Sequence, residues 1–256
     1  MNHTVDGVTL HYEIVGNGPP LLLLHGWGCC IATVESIARA VGDLRRVLSV
    51  DFPGFGDSDA PPEPWSVTEY TNCLLGLLKA LDWPPTDIIA HSFGGRVTLL
   101  LAAEHPERVK KIVLTGGAGL IPRRGPRYYL KVWGYKLGKW IFGIYWVAAL
   151  LQAAGVDISR RTASAGSEDY RALSGVMRAT FVRVVNQNLR PCLPRIRSAT
   201  LLVWGERDDQ TPLWMAKVME QEIPDAGLVV LDAGHYAFLD QPARFATIVR
   251  AFLTGA

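Results

Sequence analysis

The stretch DIIAHSFGGRVTLLLAAEH, residues 87–105, decides how this chain folds. Its apolar start predicts a buried strand, and the part after the two glycines predicts a helix. Between them Ser92 lies in a tight turn, with the small residues Ala90 and Gly94 two positions to either side. Small residues there let strand and helix pass close together, which leaves the serine hydroxyl exposed. The stretch therefore predicts a nucleophilic serine, although a simple serine N-cap would have a similar sequence.

Short apolar runs alternate with amphipathic runs over most of the chain. This alternation favours an α/β fold, a mostly parallel sheet flanked by helices. The run at residues 8–14 alternates like a half-buried edge strand. The other predicted strands are residues 20–24, 47–50, 87–90, 109–114, 200–204 and 228–231, and the predicted helices are residues 68–81, 94–105, 214–222 and 242–253.

The alternation stops between residues 117 and 194, where the sequence is helical or loop-like and rich in aromatic residues. We therefore expect residues 1–116 to form the first part of a core and residues 195–256 its second part. Residues 117–194 would be a helical lid inserted between them. An insertion here would lie beyond the carboxyl ends of the strands, where α/β folds bind ligands.

A serine nucleophile needs a base, and the base needs an acid that orients it. His235 follows the predicted strand at residues 228–231 and is the best candidate for the base. His91 is adjacent to Ser92 and cannot easily fold back onto its hydroxyl. Asp208 and Asp209, after the preceding strand, compete for the position of the acid.

Attack on a carbonyl creates an oxyanion, which needs N–H donors held ready for it. The backbone N–H of Phe93, at the start of a helix, is one candidate, and the N–H of Trp27 in the glycine-containing loop after residues 20–24 is the other. We expect the substrate to contact His25, Gly26, Trp133, Trp140 and Tyr236.

These stretches together resemble the α/β-hydrolase superfamily. The matching motifs are the H-G-x loop at residues 25–27, D-x-P-G-x-G-x-S at 51–58, the nucleophile elbow at 91–95, G-x-x-D at 205–208 and G-H at 234–235. In this family the aspartate three after the glycine is the catalytic one, which implies Asp208. Ala90 departs from the usual glycine. A serine nucleophile argues against the haloalkane dehalogenase and epoxide hydrolase branches, and the resemblance implies no metal and no organic cofactor.

The predicted lid is basic and aromatic. Residues 117–161 contain eight basic residues and a single acid, Asp157, and residues 140–151 are uncharged and apolar. The lid could pack on the core with a solvated basic face. It could line an acyl pocket whose basic rim attracts anionic or carrier-bound substrates, as in the pimeloyl-carrier-protein methyl esterases of this superfamily. It could also lie on a membrane surface. The apolar run at residues 140–151 is too short to span a bilayer.

The net charge, the first residues and the cysteines indicate which partners and which compartment to expect. A net charge of +2 gives no reason to expect a nucleic-acid partner, and residues 1–7 contain no signal-like segment. Four irregularly spaced cysteines favour reduced thiols. We therefore expect a cytoplasmic monomer or homodimer, without stable membrane insertion, that acts on a small acyl compound.

The function that these residues favour is hydrolysis of a carboxylic ester through an acyl-enzyme intermediate. An acyltransferase would use the same residues, as would a C–C hydrolase or lyase, because a fold does not fix a reaction. Arg96 could then serve an anionic substrate, although a helix-surface arginine is the simpler interpretation. A non-enzymatic small-molecule receptor belongs to another class, and the full set of catalytic residue types argues against it.

Overall fold

The computed structural model describes residues 1–121 and 175–255, and within them the strands form one eight-stranded sheet. The order across the sheet is β1-β2-β4-β3-β5-β6-β7-β8. The strands are β1 (Asn2–Val5), β2 (Val8–Val15), β3 (Pro20–Leu24), β4 (Arg46–Val50), β5 (Thr86–His91), β6 (Val109–Thr115), β7 (Ala199–Gly205) and β8 (Ala226–Leu231).

Helices connect most of these strands. They are α1 (Ile31–Val41), α2 (Val67–Ala80), α3 (Phe93–Glu104), α4 (Gly175–Asn186), α5 (Leu213–Glu222), α6 (Ala237–Asp240) and α7 (Pro242–Thr254), with short 3-10 turns at Pro106–Arg108 and Arg190–Arg195. Each strand and helix expected from the sequence is present, with ends within about two residues of the expected ones, because hydrophobic periodicity is a strong local signal. None of the helices in the described residues is long and apolar enough to span a bilayer.

Strands β3 to β8 run parallel, whereas β1 and β2 are antiparallel to their neighbours. Leu24 lies beside both Val50 and Ala90 in the ladder, and Gly205 lies beside Leu231. The parallel strands therefore end at one edge of the sheet. The loops that follow β3, β5, β7 and β8 meet there, which is the usual place for a binding site in this class of fold.

The sheet is covered on both faces. In β3, Leu22 and Leu24 pack with α2, α3 and α5, while Leu21 and Leu23 pack with α1 and α7. All four leucines are at most 1% exposed. A continuous apolar run is what a strand buried on both faces requires, since its side chains alternate between the two faces.

Two local features differ from expectation. Strand β1 forms the edge of the sheet, and β2 lies between β1 and β4. The expectation that residues 8–14 form an edge strand was therefore wrong. Helix α1 was not expected, although the apolar residues that it buries follow a helical spacing: Ile31, Val34, Ile37, Ala38 and Val41. At its start the Thr33 hydroxyl accepts the N–H of Cys30 at 3.3 Å, and the Asp51 carboxylate, from the loop after β4, accepts the N–H of Ile31 at 2.7 Å.

Most of the expected lid, including Trp133 and Trp140, lies outside the described residues. Its last part is described and packs against the core around α3. Val184, Leu189 and Leu193 are each at most 2% exposed. Residues 175–194 therefore contribute to the main hydrophobic core.

Candidate active site

The serine turn between β5 and α3 has an unusual backbone. Ser92 has φ +47° and ψ −107°, and its side chain makes no cap hydrogen bond, so it is not a simple N-cap serine. Such a conformation costs about 1–3 kcal/mol and persists only where the surroundings enforce it. A Cβ on Gly94 would lie 2.8 Å from the Leu24 carbonyl oxygen. The close approach of β3 and α3 therefore explains the small residue two positions after the serine.

Ser92 and His235 line one cavity of about 390 Å³ at the carboxyl edge of the sheet. The described residues contain no direct hydrogen bond between the Ser92 hydroxyl and the His235 ring. Gly26, Trp27, Phe93 and Tyr236 line the same cavity, together with Arg96, Leu120, Phe181, Val184, Gln210, Thr211 and Met215. The loops after β3, β5, β7 and β8 thus bring together most of the side chains expected at the site.

His235 pairs with one of the two candidate acids. Its Nδ1 lies 2.8 Å from Asp208 Oδ2, and both side chains are buried. Asp209 is exposed. The structure therefore brings Asp208, and not Asp209, against the histidine.

Asp208 accepts further hydrogen bonds from its own loop. The backbone N–H groups of Gln210 and Thr211 donate to Oδ1 at 3.0 and 2.8 Å, and the Thr211 hydroxyl lies 2.8 Å from Oδ2. Burial opposes the charged form, but the bonds from His235 and Thr211 outweigh it and lower the pKa of Asp208. The ionised carboxylate therefore keeps the proton on Nδ1 of His235 and leaves Nε2 able to accept one.

Thr211 was not singled out from the sequence. Its hydroxyl also lies 2.9 Å from the Gly116 carbonyl oxygen, so its single proton can serve only one of these two acceptors at a time. The buried Trp204 indole donates to the Thr211 carbonyl at 2.6 Å and ties this loop to β7. An aspartate in a turn commonly accepts hydrogen bonds from backbone N–H groups of its own loop, but that local signal does not single out the Thr211 hydroxyl.

The two expected oxyanion donors both belong to the cavity wall. Within the described residues, neither the N–H of Trp27 nor that of Phe93 has a backbone acceptor. The N–H of Gly94 donates to the His25 carbonyl at 3.0 Å, which joins the loop after β3 to the serine turn. The two free N–H groups are therefore held on loops that are bonded to each other.

His25 lies behind the cavity and not in its wall. It is fully buried, its Nε2 accepts the N–H of Phe52 at 3.0 Å, and its Nδ1 lies 2.7 Å from the Gly26 carbonyl oxygen. Burial lowers the pKa of His25 to about 4, although the Gly26 carbonyl and Asp51 partly oppose the shift. This position does not support the expected substrate contact. His25 instead holds the loop that carries Gly26 and Trp27.

The loop at residues 51–58 has a structural role. Asp51 accepts N–H groups from Ile31 and Asp57, and the Ser58 hydroxyl donates to the Asp51 carbonyl at 2.7 Å. Potential ligand atoms of His11, Asp51 and Asp57 lie within 4.8 Å of one another. Because both Asp51 oxygens already serve the backbone, this cluster gives no reason to assign a metal.

His91 packs against the candidate base, His235. Its Nδ1 lies 3.0 Å from the Thr115 carbonyl oxygen, and its ring centroid is 4.7 Å from that of His235. Burial, and secondarily the neighbouring His235, lower the pKa of His91 to about 3, so the ring is neutral. His91 thus packs against the base and does not compete with it for the serine.

The sequence of this chain matches the α/β hydrolase family over residues 21–248. The chain belongs to this family. The resemblance inferred from the five motifs is therefore confirmed, and so is the fold. The matched span contains Ser92, Asp208 and His235.

Individual proteins are similar to this α/β hydrolase over nearly its whole length. It is 30% identical over 253 residues to 2-hydroxymuconate semialdehyde hydrolase of Pseudomonas putida, covering 94% of this chain and 89% of that protein. It is 26% identical over 271 residues to pimeloyl-[acyl-carrier protein] methyl ester esterase of Nitrosomonas europaea, covering 93% and 96%. The crystal structure of the enol-lactonase from Burkholderia xenovorans LB400 superposes with a TM-score of 0.75 at 25% identity, covering 99% of this chain and 100% of that one.

Proposed function

We propose that this α/β hydrolase cleaves a carboxylic ester through a covalent acyl-enzyme. The observation that carries the proposal is that His235, paired with Asp208, lines the same cavity as Ser92, whose backbone is strained and whose side chain makes no cap hydrogen bond. Paired in this way, a histidine has a free Nε2 with which to take a proton. The esterase among the relatives supports the choice of an ester.

The reaction proceeds in two halves. His235 Nε2 takes the proton from the Ser92 hydroxyl as its oxygen bonds to the ester carbonyl carbon, and the carbonyl oxygen becomes an oxyanion. The N–H groups of Trp27 and Phe93 donate to that oxyanion. The C–O bond to the alcohol then breaks, and the imidazolium returns its proton to the departing alcohol. Asp208 stabilises the imidazolium during its brief existence.

Water completes the cycle. It gives a proton to His235 Nε2 and attacks the acyl carbon, and the bond to Ser92 breaks with return of that proton to the serine oxygen. The products are a carboxylic acid and an alcohol. No step requires a metal or an organic cofactor.

The first test is hydrolysis of p-nitrophenyl esters of increasing acyl length by the wild type and by Ser92→Ala. We expect turnover by the wild type and none above background by the variant, because the nucleophile is lost. Turnover that survives in Ser92→Ala would refute this mechanism. The preferred acyl length would then report the size of the cavity.

A second candidate is hydrolysis of a carbon–carbon bond by the same residues. The similarity to 2-hydroxymuconate semialdehyde hydrolase favours it. Turnover of that semialdehyde, with no turnover of any ester in the series, would favour this candidate over the esterase. An acyltransferase would instead need an added alcohol or thiol to release its product.

A further inference from the structure

Arg96 is a buried cation in the wall of the candidate active-site cavity. It lies four residues after Ser92, about one turn along α3, and only 6% of it is exposed. It lines the same cavity as Ser92 and His235. The interpretation of Arg96 as a helix-surface arginine was therefore wrong.

The charge of Arg96 has little compensation from the protein. Its Nη1 donates to the Gln187 carbonyl at 3.0 Å. None of the ion pairs among the described residues includes Arg96. Burial lowers its pKa to about 10, which leaves the guanidinium charged at neutral pH. A guanidinium carries five N–H donors in a planar fork, so most of them remain for another acceptor.

A buried and unpaired cation is unfavourable unless something compensates it. Carboxylate fits the guanidinium fork best, because two parallel N–H groups can bind its two oxygens. The cavity is otherwise lined mainly by apolar side chains, among them Leu120, Val184 and Met215. This combination suits a short aliphatic chain that ends in an acid.

We propose that Arg96 binds a carboxylate of the substrate, so that the enzyme prefers half-esters of short dicarboxylic acids. This proposal rests on the proposed esterase function and names its substrate class. The carboxylate would lie about one helical turn from the carbonyl carbon that Ser92 attacks. The competing role for Arg96 is purely structural, as a donor to the Gln187 carbonyl at the end of α4.

The test compares monomethyl esters of succinate, glutarate and adipate with the corresponding dimethyl esters. Each monomethyl ester keeps one free carboxylate, and the dimethyl ester has none. Methanol release gives kcat/KM for each ester, and the preference is the ratio of the monomethyl to the dimethyl value. We expect Arg96→Met to lower this ratio by about 10- to 100-fold, because a charge-assisted hydrogen bond to the carboxylate is lost. Arg96→Gln keeps an N–H donor for the Gln187 carbonyl but no charge, and should lower the ratio similarly even if Arg96→Met does not fold.

Arg108→Met is the matched control. Arg108 also donates to a backbone carbonyl, that of Trp83, but it does not line the cavity, and its loss should leave the ratio unchanged. A structural role for Arg96 would lower turnover of both ester types together, and an unchanged ratio in both Arg96 variants would overturn the proposal.

If the proposed esterase function is itself wrong, the wild type will turn over none of the esters. In that case calorimetry with glutarate itself decides the role of Arg96. Binding at least about tenfold weaker in Arg96→Gln than in the wild type would support it. Equal or undetectable binding in both proteins would overturn it.

Discussion

Asp208→Asn tests the candidate charge pair, and the structure determines how the new side chain must sit. The Oδ1 position receives two backbone N–H groups, from Gln210 and Thr211. The amide oxygen of asparagine must occupy that position, because an NH₂ group there would face two donors. The NH₂ group therefore points at His235 Nδ1, in the place of Oδ2.

This orientation reverses the protonation of the histidine. An NH₂ group donates, so Nδ1 of His235 must accept, and the imidazole proton moves to Nε2. Nε2 then faces the serine as a donor and cannot take its proton. In another serine hydrolase the same substitution lowers kcat about 10⁴-fold for this reason. We expect kcat/KM of this enzyme to fall about 10³- to 10⁴-fold, which is about 4–5.5 kcal/mol of transition-state stabilisation.

The assay is kcat/KM on the best p-nitrophenyl ester for the wild type, Asp208→Asn and Asp209→Asn, with circular dichroism to verify folding. Asp209 is the neighbouring exposed carboxylate, so its substitution should have little effect. The reasoning would be refuted if folded Asp208→Asn kept more than about a tenth of wild-type kcat/KM. A large loss in Asp209→Asn alone would assign the acid to Asp209.

Two further predictions concern the surroundings of the pair. Thr211→Val removes one of the donors to Asp208, and we expect kcat/KM to fall about tenfold. This loss is at the low end of what a hydrogen bond to a charged group contributes, because the Gly116 carbonyl competes for the same hydroxyl proton. Thr211→Ser keeps the hydroxyl and should recover most of the activity; equal losses in both variants would mean that the hydroxyl does not matter. Burial lowers the pKa of His25 from 6.5 in the unfolded chain to about 4 in the folded one, so its contribution to stability is complete above pH 6.5 and is lost as the pH falls toward 4. The drop in free energy of unfolding between pH 7.5 and 4.5, from urea denaturation, should therefore be about 2–3 kcal/mol smaller in His25→Asn than in the wild type. Equal drops in the two proteins would contradict the lowered pKa of His25.

Much of the architecture could be predicted because its signals are local. A strand buried on both faces must be continuously apolar, and residues 20–24 are. A tight strand-to-helix turn needs small residues beside its serine, and Ala90 and Gly94 supply them. These requirements act within a few residues of each other, so the sequence alone carries them. The order of Ser92, the acidic loop and His235 along the chain is equally visible.

Other features depend on residues that are distant in sequence. The carboxylate that accepts the first N–H of α1 belongs to Asp51, twenty residues away in the sequence. Residues 51–58 had no function in the sequence beyond their resemblance to a family motif. The tertiary structure shows that they join α1 to the middle of β2, at His11, and to the end of β4.

The sequence by itself determined the α/β class and most of its strands and helices, and it named Ser92 and His235 as the candidate nucleophile and base. Only the tertiary structure decided between Asp208 and Asp209 on geometric grounds and buried Arg96 in the wall of the cavity. The physical reason is the same in each case. Periodicity and turn chemistry are short-range properties of the chain, whereas a hydrogen-bond partner or a buried charge depends on which loops meet when parallel strands end at one edge of the sheet.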